Sequence, residues 1–71
     1  MTTKRIAQIT PRQRAICARI ADGWQNKQIA NAEQKSLRSV KRQIESIMAA
    51  TAAQNRAQIA AWYVRQTEVR E

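Results

Sequence analysis

The sequence predicts an all-α domain built from four helices, and three observations support this. Thirteen alanines and nine glutamines stand against one glycine and one proline, which favours helix because Gly and Pro are the residues that interrupt it. Apolar residues recur at helical spacing, and no segment shows the alternation typical of a strand. Thr10, Ser36 and Asn55 stand where helix N-caps are expected.

Helix 1 has the clearest start signal. The Thr10 hydroxyl can cap the helix, Pro11 suits the first helical position, and Gln13 stands where a capping box requires Glu or Gln. Gly23 falls where a helix C-cap favours a positive φ. These signals predict a helix over residues 11–22.

The remaining helices follow from shorter signals. A short helix 2 is predicted over residues 26–32 or slightly beyond, with Ile29 as an apolar contribution. Helix 3 starts after Ser36, and helix 4 starts near Asn55 and ends near Gln66. Apolar residues at spacings of i, i+4, i+7 and i+8 mark helix 3 as amphipathic; they are Val40, Ile44, Ile47 and Met48.

The chain length allows one domain. We predict a basic N-terminal arm at residues 1–8, the helical domain at 9–66 and a charged tail at 67–71. A domain of this size has a thin core, and neither an internal disulfide nor a His-containing zinc site is available from one cysteine and no histidine. Good helices or a second copy of the chain would have to supply stability.

The charge balance points to a polyanionic partner. The formal net charge is +8, and self-repulsion of that size destabilises a small domain unless an anion compensates it. Nucleic acid is the natural candidate, ahead of a merely solubilising surface. No long apolar run follows Lys4 and Arg5, so we expect neither a signal peptide nor a membrane anchor. The lone Cys17 favours a reducing cytoplasm.

Other function classes find little support. The sequence has no histidine, no usefully spaced pair of acidic residues and no phosphate-cradling glycine loop, so we expect neither an enzyme nor a cofactor or metal. Cys17 is predicted to be a small buried filler. RNA binding by base stacking is disfavoured because Trp24, Trp62 and Tyr63 are needed for packing.

Helix 2, a short turn and helix 3 together predict a helix-turn-helix, whose second helix fits the DNA major groove. The face of helix 3 opposite the apolar stripe carries Arg38, Lys41, Arg42 and Glu45. Long basic side chains on that face suit phosphates and guanine edges. Periodicity alone supports a solvated basic helix face equally well.

Four segments resemble the LuxR/GerE-type DNA-binding domain. They are ITPRQR at 9–14, ADGWQNKQIA at 21–30, SLRSVK at 36–41 and NRAQI at 55–59, and they lie in register without a gap over residues 9–65. The resemblance implies a sequence-specific transcription regulator that binds double-stranded DNA as a homodimer through helix 3.

The resemblance also implies roles for particular residues. Asn26, Lys27 and Arg56 would contact phosphate, Ser36 and Ser39 would cap helix 3 or bond the DNA backbone, and Lys41, Arg42 and Glu45 would face base edges. Helix 4 would form the dimer contact through a side stripe that consists of Ala57, Ala61 and Val64.

Structural roles are open for several of these residues. Asn26 and Ser36 can act as helix caps without contacting DNA, and Lys27 and Arg56 can be solvated. Glu45 can accept from a cytosine amine or pair with a neighbouring cation on its own helix.

Two segments depart from the family pattern. The turn after helix 2 reads Glu33-Gln34-Lys35 where an apolar residue, a glycine and an apolar residue are expected, and residues 49–53 replace an expected Leu-Gly pair with AATAA. Without Gly or Pro, helix 3 can continue into helix 4 as one long helix over 36–65. This alternative fold is a helical hairpin, and it suits a small anti-activator or adaptor that binds a LuxR-type regulator or another protein.

Overall fold

A computed structural model of the protein describes residues 9–68, and this part of the chain is all-α. It consists of four helices, which are α1 (Pro11–Ala21), α2 (Asn26–Glu33), α3 (Leu37–Thr51) and α4 (Arg56–Glu68). The predicted fold class is confirmed, and the predicted helix ends lie within two residues of those observed. The predicted arm at 1–8 and residues 69–71 of the predicted tail lie outside the described residues.

Side-chain caps fix the starts of α1 and α4. Thr10 Oγ1 accepts from the Gln13 amide at 3.1 Å, while Gln13 Oε1 accepts from the Thr10 amide at 3.3 Å. Asn55 Oδ1 caps α4 by accepting from the Gln58 amide at 2.9 Å. These bonds satisfy amide groups that a helix leaves unpaired in its first turn.

All four helices contribute to one core. The helix α4 packs along α1, α2 packs on α3, and α3 also contacts α1 and α4. Ile29, Ile47 and Ile59 are completely buried, as is Cys17. The other buried core residues are Ile16, Ile20, Ala30, Val40, Ile44 and Ala53, and Trp24 is half-buried beside them.

The turn between α2 and α3 forms without its expected glycine. Gln34 adopts the left-handed conformation, with φ 59°, and the Lys35 amide donates to the Ala30 carbonyl at 2.9 Å, closing the end of α2. Of the two charged residues in expected apolar positions, Lys35 is exposed. Glu33 lies 3.7 Å from Arg19 Nε, which provides its opposite charge.

The fused helical hairpin is wrong, because α3 ends at Thr51 and α4 begins at Arg56. Ala52 takes the left-handed conformation, with φ 65°, and Thr51 Oγ1 both donates to the Ile47 carbonyl and accepts from the Ala53 amide. Ala53 is buried. The chain therefore turns so that Ala53 and α4 pack on the core, although no glycine or proline marks the turn.

None of the helices within residues 9–68 is long and apolar enough to cross a membrane.

Candidate nucleic-acid interface

The helix α3 carries a sharp division between its two faces. Val40, Ile44 and Ile47 are buried against the core, which fixes the rotation of the helix about its own axis. Arg38, Lys41, Arg42 and Glu45 are exposed on the other side. Within residues 9–68 no ion pair joins Glu45 to either Lys41 or Arg42. The side chains at the predicted base-reading positions are therefore all accessible to a partner.

The start of α3 combines a cap with a polar surface. Ser36 Oγ accepts from the Ser39 amide at 3.0 Å, so Ser36 is the N-cap and is also exposed. Ser39 is half-buried beside it. Leu37, the first helical residue, is 45% exposed. The first turn of α3 thus faces outward at the end that a recognition helix presents to base edges.

The start of α2 places Asn26 and Lys27 next to each other. Lys27 is exposed and Asn26 is half-buried. Gln25, not Asn26, is the N-cap residue of α2, and its amide donates to Gln28 Oε1 at 2.7 Å. Asn26 is therefore free of any capping role at this helix.

Arg56 connects the start of α4 to the start of α2. Its Nη1 donates to Asn26 Oδ1 at 2.6 Å, and its Nη2 donates to the Trp24 carbonyl. Arg56 is half-buried. Sequence reasoning placed this arginine near DNA but missed both contacts, because the partners lie 30 and 32 residues away in the chain.

A second arginine, Arg19, contacts the α1–α2 loop at the Trp24 ring. The Arg19 guanidinium lies 4.6 Å from the centroid of the Trp24 ring, a cation–π distance, and its Nε lies near Glu33. A further link, from Gln13 Nε2 to Gln43 Oε1 at 2.9 Å, joins α1 to α3. Opposite charge was the only sequence signal for the Arg19–Glu33 contact, and it does not specify a pairing.

The family model for bacterial regulatory proteins of the luxR family, GerE, matches residues 7–63, which is most of the chain. The chain belongs to the LuxR family. Searches of curated proteins and of solved structures return no match. The resemblance inferred from the four sequence segments is confirmed, and the α2–turn–α3 unit is a LuxR-type helix-turn-helix of a DNA-binding transcription regulator.

One exposed stripe of α4 in this LuxR-type domain consists of small or apolar residues. Ala57, Ala61 and Val64 are all exposed, and Val64 is 44% exposed. Ala61 and Val64 also line a shallow groove with Ala60 and Arg65. The three residues predicted to form a dimer contact are therefore accessible and lie on one helix.

Cys17 lies away from this surface, in the core of the LuxR-type domain. It is a fully buried free thiol, as predicted for a small packing residue. Burial raises its pKa above the usual thiol value, and the nearby Arg14 charge lowers it by a smaller amount. The described residues contain no cluster of His, Cys, Asp and Glu that could hold a metal ion.

Proposed function

We propose that this LuxR-type domain is a sequence-specific transcription regulator that binds double-stranded DNA as a homodimer, with α3 in the major groove. The observation that carries the proposal is the exposed set Arg38, Lys41, Arg42 and Glu45, opposite the buried face of the same helix. The major groove is wide enough to admit an α-helix. We also propose that it acts in the cytoplasm.

Base recognition falls to the middle of α3. Lys41 and Arg42 suit guanine O6 and N7, and Glu45 suits the amino group of cytosine. The absence of an ion pair from Glu45 to either cation in the described chain supports this assignment, because each charge is then available to its own base. A carboxylate also disfavours close approach to phosphate, so Glu45 contributes to discrimination between sequences.

Backbone contacts fall to the starts of α2 and α3. Lys27 and Arg38 supply exposed cations, while Asn26, Ser36 and Ser39 supply polar groups. Such contacts fix the register of a protein on the duplex without reading its sequence. The Ser36 hydroxyl oxygen already caps the Ser39 amide, which leaves its O–H free to donate to a phosphate oxygen.

The homodimer is proposed through α4. Ala57 and Ala61 have short side chains that allow two helices to approach closely, and Val64 adds exposed apolar area. A two-fold dimer of helix-turn-helix domains binds two half-sites about one helical turn apart. We therefore expect a site with two inverted half-sites.

The test is a comparison of binding to a selected site and to random duplex at rising salt. The variant with both Lys41→Gln and Arg42→Gln should lose most of the preference for the selected site. A matched variant with Arg12→Gln and Arg14→Gln removes the same charge from exposed positions on α1. It should bind both duplexes more weakly and keep the preference.

Two results contradict the proposal. If the wild-type protein fails to bind any duplex at low salt, DNA is not its ligand, and a tight complex with a LuxR-type regulator would then favour the adaptor function. If the α3 double variant keeps the sequence preference, the reading face is wrongly assigned. The fused helix that motivated the adaptor hypothesis is not present, and no other observation favours it.

A further inference from the structure

We propose that Arg56 is a positioning residue that orients the side-chain amide of Asn26, so that the Asn26 NH₂ group faces a DNA phosphate. The inference rests on the proposed function. It replaces the direct phosphate contact that the family resemblance implies for Arg56.

The contacts of Arg56 show where its donors are directed. One terminal nitrogen reaches Asn26 Oδ1 at 2.6 Å and the other reaches the Trp24 carbonyl. Both acceptors belong to the start of α2 or to the loop before it, whereas Arg56 begins α4. The guanidinium therefore joins two segments that are distant in the chain.

The chemistry of the two groups then fixes the Asn26 amide. A guanidinium has only donors, so the amide must present its oxygen to Arg56. Its Nδ2 atom necessarily lies on the other side of the planar group, with two N–H donors. Within the described chain Nδ2 makes no hydrogen bond to protein, and Asn26 is only half-buried.

The place of Asn26 in the fold matches a phosphate contact. Asn26 is the first residue of α2 and precedes the exposed Lys27. In helix-turn-helix domains the helix before the recognition helix crosses the DNA backbone. An oriented amide donor beside a lysine suits a phosphate oxygen, whereas a freely rotating amide would present its oxygen to the phosphate in about half of its orientations.

The two contacts use one N–H on each terminal nitrogen of Arg56, so a direct phosphate contact would either have to use its other donors in the orientation that these contacts fix or break the contacts. Hydrogen bonds from a charged donor in a half-buried position are among the stronger ones in proteins. Breaking them would also leave the Trp24 carbonyl without this partner. The structure therefore favours a guanidinium that stays in place while the amide contacts the DNA.

The decisive variant is Asn26→Asp. A carboxylate still accepts from Arg56, so the melting temperature should be equal to or above that of the wild type. The same change removes the amide donor and places a negative charge towards phosphate, so DNA affinity should fall at least tenfold on selected and random duplex alike. Wild-type affinity in this variant would overturn the inference, as would a fall in affinity matched by a lower melting temperature.

Arg56→Gln separates positioning from phosphate contact. A direct contact adds about 0.9 per protomer to the salt slope of log K, and its removal lowers the slope by that amount. Positioning predicts weaker binding with the slope unchanged. It also predicts that Arg56→Gln costs little further affinity once Asn26→Ala is present, because the two residues act as one unit.

All variants are first checked for native helicity at the assay temperature. The positioning role is overturned if Arg56→Gln reduces the salt slope of log K. It is also overturned if Arg56→Gln lowers DNA affinity as much in the Asn26→Ala variant as in the wild type. These outcomes differ from a failure of the proposed function, because they require a wild-type protein that binds the selected site. A wild type that binds no duplex instead refutes the proposed function itself.

Discussion

Replacing Ala52 by glycine tests the turn that separates α3 from α4. Ala52 has φ 65° and is exposed, so glycine removes little packing but relieves the steric conflict of a Cβ atom in the left-handed region. That conflict costs roughly 1–2 kcal/mol, and the greater chain entropy of glycine costs roughly 0.5–1 kcal/mol. Ala52→Gly should therefore stabilise the fold by about 0.5–1 kcal/mol.

Ala49→Gly is the matched control. Ala49 is also exposed but lies within α3, where a change from Ala to Gly costs about 1 kcal/mol. For a domain of this size 1 kcal/mol shifts the melting temperature by about 4–8 °C. Thermal unfolding followed by circular dichroism should place the two variants on opposite sides of the wild type, on the order of 10 °C apart.

The two variants are expected to change stability in opposite directions, so the comparison distinguishes separate α3 and α4 helices from one fused helix. In one continuous helix over residues 36–65, both alanines would be helical and both variants would lose similar stability. If Ala52→Gly destabilises the protein as much as Ala49→Gly, the reasoning about the turn is refuted. The separate α3 on which the proposed reading face depends would then be refuted with it.

Two further predictions concern single side chains. Ser36→Ala removes the Oγ that accepts from the Ser39 amide, and it should lower the free energy of unfolding in denaturant by about 1 kcal/mol. The control Ser46→Ala changes an exposed serine within α3 and should not destabilise the protein. Equal effects of the two variants would contradict the cap. Burial raises the pKa of Cys17, so the unfolded thiol ionises first as pH rises, and stability should fall once the pH passes the usual thiol pKa. Urea midpoints at about pH 7 and about pH 10 should show this extra loss in the wild type but not in Cys17→Ala, and identical pH dependence would contradict it.

The helices were predictable because their signals are local. A cap at Thr10, Ser36 or Asn55 uses a hydrogen bond to a residue three positions away, so the sequence contains both partners within one turn. The exposed face of α3 was predictable for a similar reason. Once Val40 and Ile44 are assigned to the core, the 3.6-residue period sets where Lys41 and Arg42 point.

The two turns were harder to predict because their usual marker is missing. Gln34 and Ala52 occupy left-handed positions that normally favour glycine. Each conformation costs roughly 1–2 kcal/mol, and burying one isoleucine such as Ile59 recovers about 1.5–3 kcal/mol. Packing of α4 therefore decides the backbone at Ala52, and that packing energy cannot be read from the four residues of the turn.

The arginine contacts were not predictable from pattern at all. Arginine is usually a surface residue, and the partners of Arg19 and Arg56 lie far along the chain. Neither periodicity nor composition specifies a pairing at that distance. The family resemblance implies a phosphate contact for Arg56 from its position at the start of the fourth helix. The number of its donors already engaged by protein is visible only in the folded chain.

Two sets of basic residues can be distinguished in the domain. Arg19 and Arg56 are held against the α1–α2 loop, while Lys27, Arg38, Lys41 and Arg42 are exposed on α2 and α3. Like charges gathered on two adjacent helices repel one another, and a thin core offers little to offset that repulsion. A duplex that binds only the folded state stabilises it by mass action. Because the same cations are expected both to destabilise the free protein and to contact DNA, its stability and its DNA affinity should be linked. Charge-removing changes on this surface should raise the melting temperature of the free domain while they weaken binding.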